Sequence, residues 1–171
     1  MRAAILLTLI ACLATAAYAV RIRNGMPDFE VYRTAGARAA AGQPLYRASD
    51  EHYQFKYFPA SAFVFTPFAA LPVSAAKPLW FALCVGLLAV LLGLSVQQLP
   101  SRTVPASIIA VGTIVTLGKF YAHELELGQV NLLFGVVAMA AVAQLHKGGA
   151  IGAGATFGSA AIIKPYALLF L

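Results

Sequence analysis

Long apolar runs separated by a few short polar intervals set the outline of this chain. The runs lie near residues 3–20, 58–73, 78–96, 104–117, 130–145 and 150–171. They are continuous rather than alternating, which predicts helices and argues against the strands of a membrane β-barrel. Several approach the ~20 residues a helix needs to cross ~30 Å of hydrocarbon. The expected fold is therefore an all-α polytopic membrane protein, one membrane domain over residues 1–171 with about six helices. The run from Ala150 is still apolar at Leu171, so the chain is expected to be the N-terminal part of a longer protein.

The breaks between runs carry their own signals. Residues 1–19 have the look of a signal peptide, with Arg2 ahead of the run and Ala17-Tyr18-Ala19 at its end. The length of the run and the membrane character of the later runs favour an uncleaved first helix ending at Arg21 and Arg23. Residues 21–57 then form the longest polar interval. Phe29, Tyr32 and Ala35-Gly36 recur there at helical spacing after Pro27-Asp28, with Arg33 and Arg38 on other faces. This predicts a short amphipathic helix on or near the membrane surface, capped by Gly42 and stopped by Pro44. Leu45 to Tyr57 reads as an irregular loop or a second short helix. Pro59, Pro67 and Pro72 punctuate the second run, and Trp80 is placed as an interfacial aromatic anchor at the start of the third. A second polar interval covers residues 118–131. Gly152, Gly154 and Gly158 predict close helix packing in the last run.

Composition agrees with this outline. Hydrophobic residues make up 61% and charged residues 11%, against roughly 25% charged in a soluble domain. The net charge is +6, and six of the twelve basic residues fall between Arg21 and Lys56. Anchoring beside anionic headgroups accounts for it, with recognition of an anionic, phosphate-bearing substrate as the other reading; nucleic acid is excluded for a chain this apolar. Cys12 and Cys84 lie within apolar runs and are expected to be packing residues. His123, Glu124 and Glu126 fall within four positions but lack a trusted ligand geometry, so a solvated loop is expected there and no metal.

Several stretches taken together resemble a known family. They are Asp28-Phe29-Glu30-Val31-Tyr32, Gly42-Gln43-Pro44-Leu45-Tyr46, Phe55-Lys56-Tyr57-Phe58-Pro59, Phe65-Thr66-Pro67-Phe68 with Leu71-Pro72 and Trp80, Leu127-Gly128-Gln129-Val130-Asn131-Leu132-Leu133, and Ile163-Lys164-Pro165. In order and spacing they resemble glycosyltransferase family 87, integral membrane enzymes of the GT-C type that include polyprenol-phosphate-mannose-dependent mannosyltransferases. Tyr57-Phe58-Pro59 departs from the pattern, which usually has two prolines after the tyrosine.

The resemblance implies a GT-C-like transmembrane helix bundle whose first external loop holds the amphipathic helix. It implies an inverting transfer of a sugar, with mannose expected, from a polyprenyl-phosphate donor to a lipid or glycan acceptor, with no cofactor. In such enzymes a carboxylate just past the first helix acts as general base, and Asp28 occupies that position here. A helix cap is the structural alternative for Asp28. Glu30, two residues on, points roughly the other way and suits a first-turn charge.

Arg33, Arg38 and Lys56 are candidates for the donor phosphate, Lys56 foremost because it precedes a span between two aromatics. Tyr46 and Tyr57 are expected either to contact sugar or to sit as interfacial aromatics. Gln129 and Asn131 are expected to bond between helices or to contact substrate. Lys164, the one charge in the last run, reaches a phosphate or carboxylate if Pro165 breaks the helix, and otherwise snorkels to the interface. The expected location is the inner (plasma) membrane, multi-pass, with membrane lipids as surroundings and the site facing the periplasm or cell exterior. The arginine-rich first loop runs against that placement, because the positive-inside rule puts such loops in the cytoplasm. A transporter or scaffold subunit is the alternative from another functional class.

Overall fold

The computed structural model describes residues 12–99 and 101–165. Among the described residues there are helices and turns but no strand. The helices are α1 (Cys12–Ile22), α2 (Pro27–Ala40), α3 (Pro59–Ala69), α4 (Val73–Gln97), α5 (Ala106–Leu127), α6 (Asn131–His146) and α7 (Ala150–Ile163). The last turn of α1, Tyr18–Ile22, is π-helical, and α3 is two α-helical turns joined by a 3₁₀ turn over Phe63–Phe65. A further 3₁₀ turn, Ala48–Tyr53, lies between α2 and α3. Residues 1–11 of the first apolar run and 166–171 of the last lie outside the described residues.

Proline and glycine mark the helix ends for local reasons. Pro27 and Pro59 open α2 and α3 where a missing N–H costs nothing, and Pro72 and Pro105 are the N-caps of α4 and α5. At the end of α2, Gly42 takes φ +63°, its N–H bonds the Ala39 carbonyl at 3.2 Å, and the Gln43 N–H bonds the Arg38 carbonyl at 2.8 Å. That pair of bonds is a Schellman motif, as expected for Gly42. Gly128, at φ +69°, ends α5 in the same left-handed conformation.

Two helices, α4 with 25 residues and α5 with 22, are long and apolar enough to cross a membrane. At 1.5 Å per residue they reach roughly 33–38 Å. The expected span over 104–117 is too short, because the helical pattern continues through Lys119, Glu124 and Glu126 to Leu127. The expected span over 58–73 is instead the broken helix α3, about 16 Å long, since Pro67 and the 3₁₀ turn divide it.

Hydrogen bonds at opposite ends of the helices show how they run. Trp80 near the start of α4 donates from Nε1 to the Gly128 carbonyl at 2.9 Å, while Gln98 after its end meets His146 Nδ1 at 2.8 Å. Consecutive helices α4, α5, α6 and α7 therefore alternate in direction. The ends carrying residues 73–80, 124–131 and 164 gather on one side, together with α2 and α3.

The core lies on that side. The buried residues of α2 are Phe29, Tyr32, Ala35 and Gly36, the face that the spacing predicts. This face packs on protein. Phe29 stacks on Trp80 at 5.5 Å between centroids, and Phe65 and Phe68 of α3 meet Trp80 at 5.2 and 5.4 Å. Trp80 is 1% exposed, so its role as an interfacial anchor is corrected to the centre of an aromatic cluster. Cys84, one turn further on, is buried as expected, whereas Cys12 is exposed.

Candidate active site

The turn between α1 and α2 is the starting point, because it carries Asp28. Met26 sits in the left-handed region at φ 66°, ψ 48°, uncommon for a residue with a side chain, and is fully buried. Its N–H bonds the Glu126 carbonyl at 2.9 Å, and across the junction Gly128 lies so close that an added Cβ would fall 2.8 Å from Phe29 Cβ. The two polar intervals of the sequence are thus locked to one another. Met26 is the N-cap of α2 and makes no side-chain capping bond; Asp28 is in the first turn, one residue after Pro27. The capping alternative for Asp28 is therefore corrected. Negative charge in a first turn is still favoured by the helix dipole.

Asp28 borders a cavity of about 420 Å³ lined also by Tyr32, His52, Tyr53, Gln54, Lys56, Tyr57, Leu127 and Gln129. Three separate stretches meet there: the first turn of α2, the segment before α3, and the loop after α5. Asp28 is half-buried, Lys56 exposed and Gln129 half-buried. Asp28, Lys56, Tyr57 and Gln129, each singled out from the sequence, share this one cavity.

The tyrosines form a linked set. Tyr32 is 2% exposed, its hydroxyl lies 3.0 Å from that of Tyr57, and burial first, then the neighbouring Tyr57, push its phenol well above the ordinary tyrosine range. It remains neutral and available as a hydrogen-bond donor. The Tyr46 hydroxyl donates to the Tyr57 carbonyl at 2.7 Å, so Tyr46 braces the cavity wall without lining it. Lys164 ends α7 in an extended conformation before Pro165, a conformation proline imposes on its predecessor. Its Nζ lies 5.5 Å from the centre of the Tyr57 ring. The helix break expected at Lys164 is present, and the side chain turns toward the site.

Asn131 stands behind Gln129. Its Nδ2 donates to Glu124 Oε1 at 2.8 Å and to Gln129 Oε1. Glu124 Oε2 is buried with no hydrogen-bond partner among the described residues. The expected solvated loop over residues 123–126 is corrected: these residues complete α5, and Glu124 anchors the side chains that present Gln129.

Two of the candidate phosphate ligands are held elsewhere. Arg33 donates from Nε to the Phe68 carbonyl at 3.2 Å and from Nη2 to those of Ala69 and Leu71 at 3.4 and 2.7 Å. It satisfies the open carbonyls at the end of α3 and is absent from the cavity lining. Arg38 forks onto both carboxylate oxygens of Asp50, one contact at 2.8 Å, and this hydrogen bond holds the Asp50 carboxyl below its usual range. Arg38 and Asp50 border a second cavity of about 430 Å³, with Glu30, Thr34 and Ser49. It shares Pro27, Val31 and Tyr53 with the first, so the N-terminal turns of α2 stand between the two.

Reasoning from the sequence missed Lys77. It is 7% exposed, donates to the Gly25 carbonyl at 2.8 Å and pairs with Glu30 at 2.5 Å. A lysine four residues into an apolar helix was the available signal.

No curated protein and no solved structure matches the chain. The pattern of glycosyltransferase family 87 matches residues 55–171, which include Lys56, Tyr57, Gln129, Asn131 and Lys164; the Asp28 turn precedes the match and is joined to it by the contacts above. The family implies glycosyl transfer, and with the two long apolar helices it points to a membrane protein. By a match over more than half its length, the chain belongs to glycosyltransferase family 87.

Proposed function

We propose that the chain forms part of an inverting GT-C glycosyltransferase that moves a sugar, mannose in the first instance, from a polyprenyl-phosphate donor to a hydroxyl of a lipid or glycan acceptor. In this reading the helices form a polytopic bundle in the inner membrane, with the cavity on its outer face. The observation that carries it is the meeting of Asp28 with Lys56, Tyr57 and Gln129 around one cavity, beside Lys164.

The chemistry follows from the charges. Asp28 takes the proton of the acceptor hydroxyl as its oxygen attacks the anomeric carbon. The bond from that carbon to the phosphate oxygen breaks, and the polyprenyl phosphate leaves with the bonding electrons. Lys56 and Lys164 offset the charge growing on the phosphate, which needs no proton of its own if cations face it. Tyr57 follows Lys56 in sequence and receives Lys164 on its ring, a suitable wall for a sugar. Arg33 and Arg38 have no part in phosphate binding in this scheme, being engaged by carbonyls and by Asp50.

A positioned base contributes roughly 10²–10⁴-fold. Asp28→Asn in the full-length protein is expected to keep expression and donor binding and to lower transfer from radiolabelled polyprenyl-phosphate mannose by about that factor. Turnover near the native rate would remove Asp28 from the mechanism. Absence of transfer by the native protein would return the transporter or scaffold reading.

A further inference from the structure

We infer that Lys77, in the first turns of α4, is a positioning residue that fixes the Asp28 turn at the rim of the cavity; the inference rests on the glycosyl-transfer reading of that site. Its ammonium contacts the chain on both sides of Asp28. Toward the N-terminus it donates to the Gly25 carbonyl at 2.8 Å, and toward the C-terminus it pairs with Glu30 Oε1 at 2.5 Å. An ammonium is suited to this, since its three hydrogens serve a carbonyl and a carboxylate at once. The side chain is 8% exposed and Glu30 57%, so the cation is enclosed while its partner reaches it from the surface.

The bracketed segment needs such a hold. Met26 is left-handed at φ 66°, a conformation that persists in a residue with a side chain only where surrounding contacts enforce it. Its N–H is bonded to Glu126, and an added Cβ at Gly25 would stand 3.3 Å from the same carbonyl oxygen. Trp80, one helical turn after Lys77 on the same face of α4, donates to the Gly128 carbonyl at 2.9 Å. One face of α4 therefore carries two donors, of which Lys77 holds the segment bearing Asp28 and Trp80 the segment bearing Gln129. The distance across the cavity is set by their spacing on one helix. Lys77 is absent from the cavity lining, so its effect is on the placement of the base.

The test uses the full-length protein in lipid nanodiscs, with hydrogen exchange followed by mass spectrometry and transfer kinetics from polyprenyl-phosphate mannose. Lys77→Met is expected to raise amide exchange over residues 24–31 and to lower kcat by roughly 10²-fold, the cost of a base misplaced by about 1 Å, while KM for the donor changes less than about twofold. Lys77→Arg is expected to restore the protection and most of kcat. Glu30→Gln, a change at an exposed carboxylate, is expected to raise exchange over the same residues and to lower kcat less, and it serves if Lys77→Met does not accumulate. Unchanged exchange in Lys77→Met or, in its place, Glu30→Gln overturns the inference. So does a Lys77→Met kcat within about twofold of native in an enzyme that Asp28→Asn inactivates. A native protein that transfers no sugar overturns the functional reading instead, and the exchange result then decides for or against the Lys77 hold on its own.

Discussion

Asp50 is the residue whose ionisation bears most directly on how the first loop is held. Its carboxyl is depressed by the hydrogen bond from Arg38, with the coulombic attraction of Arg38 and Arg47 adding to it and desolvation opposing. A carboxyl that is lowered in the folded protein stabilises the fold above its unfolded value, near ~4, and loses that contribution as pH falls through the folded value. The Arg38–Asp50 fork is thus complete at neutral pH and is lost as the pH falls below the ordinary carboxylate range. A spin label at Ala48→Cys, in a Cys12→Ser background, is expected to be immobilised from neutral pH down to about 4 and to gain mobility below it. Asp50→Asn should give the mobile spectrum already at pH 7. An immobile label in that variant would show that other contacts hold the turn Ala48–Tyr53. Arg33 illustrates a different role for the same side chain, since it donates to three carbonyls at the end of α3.

Among the elements, α2 and α3 cross at their closest point on a glycine. A Cβ at Gly36 would lie 2.6 Å from the Phe65 carbonyl carbon, and Phe65 belongs to the 3₁₀ turn that breaks α3. Backbone gives way less readily than a side chain there. Gly36→Ala is expected to destabilise the fold by ~1–3 kcal/mol as α2 and α3 separate, read as a lowered midpoint of thermal unfolding in detergent. Trp80 is the only tryptophan in the chain and packs against both helices, so its emission should move to longer wavelength in the same variant. A native midpoint with native emission would mean the crossing has slack. The glycines with open space around them, such as Gly86 and Gly112, should tolerate alanine without either change.

For the whole molecule, the alternating helices sort the polar groups into two ends. Residues 21–59, 124–131 and 164 gather at one, and the turns around Gln98 and His146 at the other. The apolar side chains of α5 face outward along its length, with Ile108, Val111, Ile114, Val115 and Phe120 exposed, as a helix in lipid would show them. Between the ends, α4, α5 and α6 border an apolar space of about 500 Å³ lined by Leu91, Ile109, Leu117 and Met139 among others. If the bundle is multi-pass as proposed, a membrane-impermeant thiol reagent applied to intact cells should label Ala48→Cys and leave Lys147→Cys unlabelled until the membrane is opened. The reverse pattern would place the cavity in the cytoplasm, the side the arginines of the first loop favour by charge alone. Arg33, Arg38 and Lys77 are engaged by protein groups at that end, so headgroup anchoring is not their part in the folded molecule.

The helical character of the chain was legible in the order of residues, because its causes are local. Continuous apolar runs, Pro27 at a helix start, Gly42 in a left-handed turn and Pro165 after Lys164 act through neighbours a few residues away. The buried stripe of Phe29, Tyr32, Ala35 and Gly36 could be read for the same reason, since a single periodicity places all of it on one face. The family resemblance, too, was a matter of order and spacing. Partners far apart in the chain were not legible in this way. Trp80 became a core residue when α2 and α3 closed over it, Arg33 met the carbonyls of residues 68–71, and Glu124 was drawn under Asn131. Lys77, 52 residues after Gly25, has no local cause to hold that carbonyl. Hydrogen bonds and charge pairs act over a few ångströms whatever the sequence separation, so the partners of Asp28 in its cavity were settled by the packing of α2 beside the segment before α3 and the loop after α5, and the lysine that holds it there by the packing of α2 on α4.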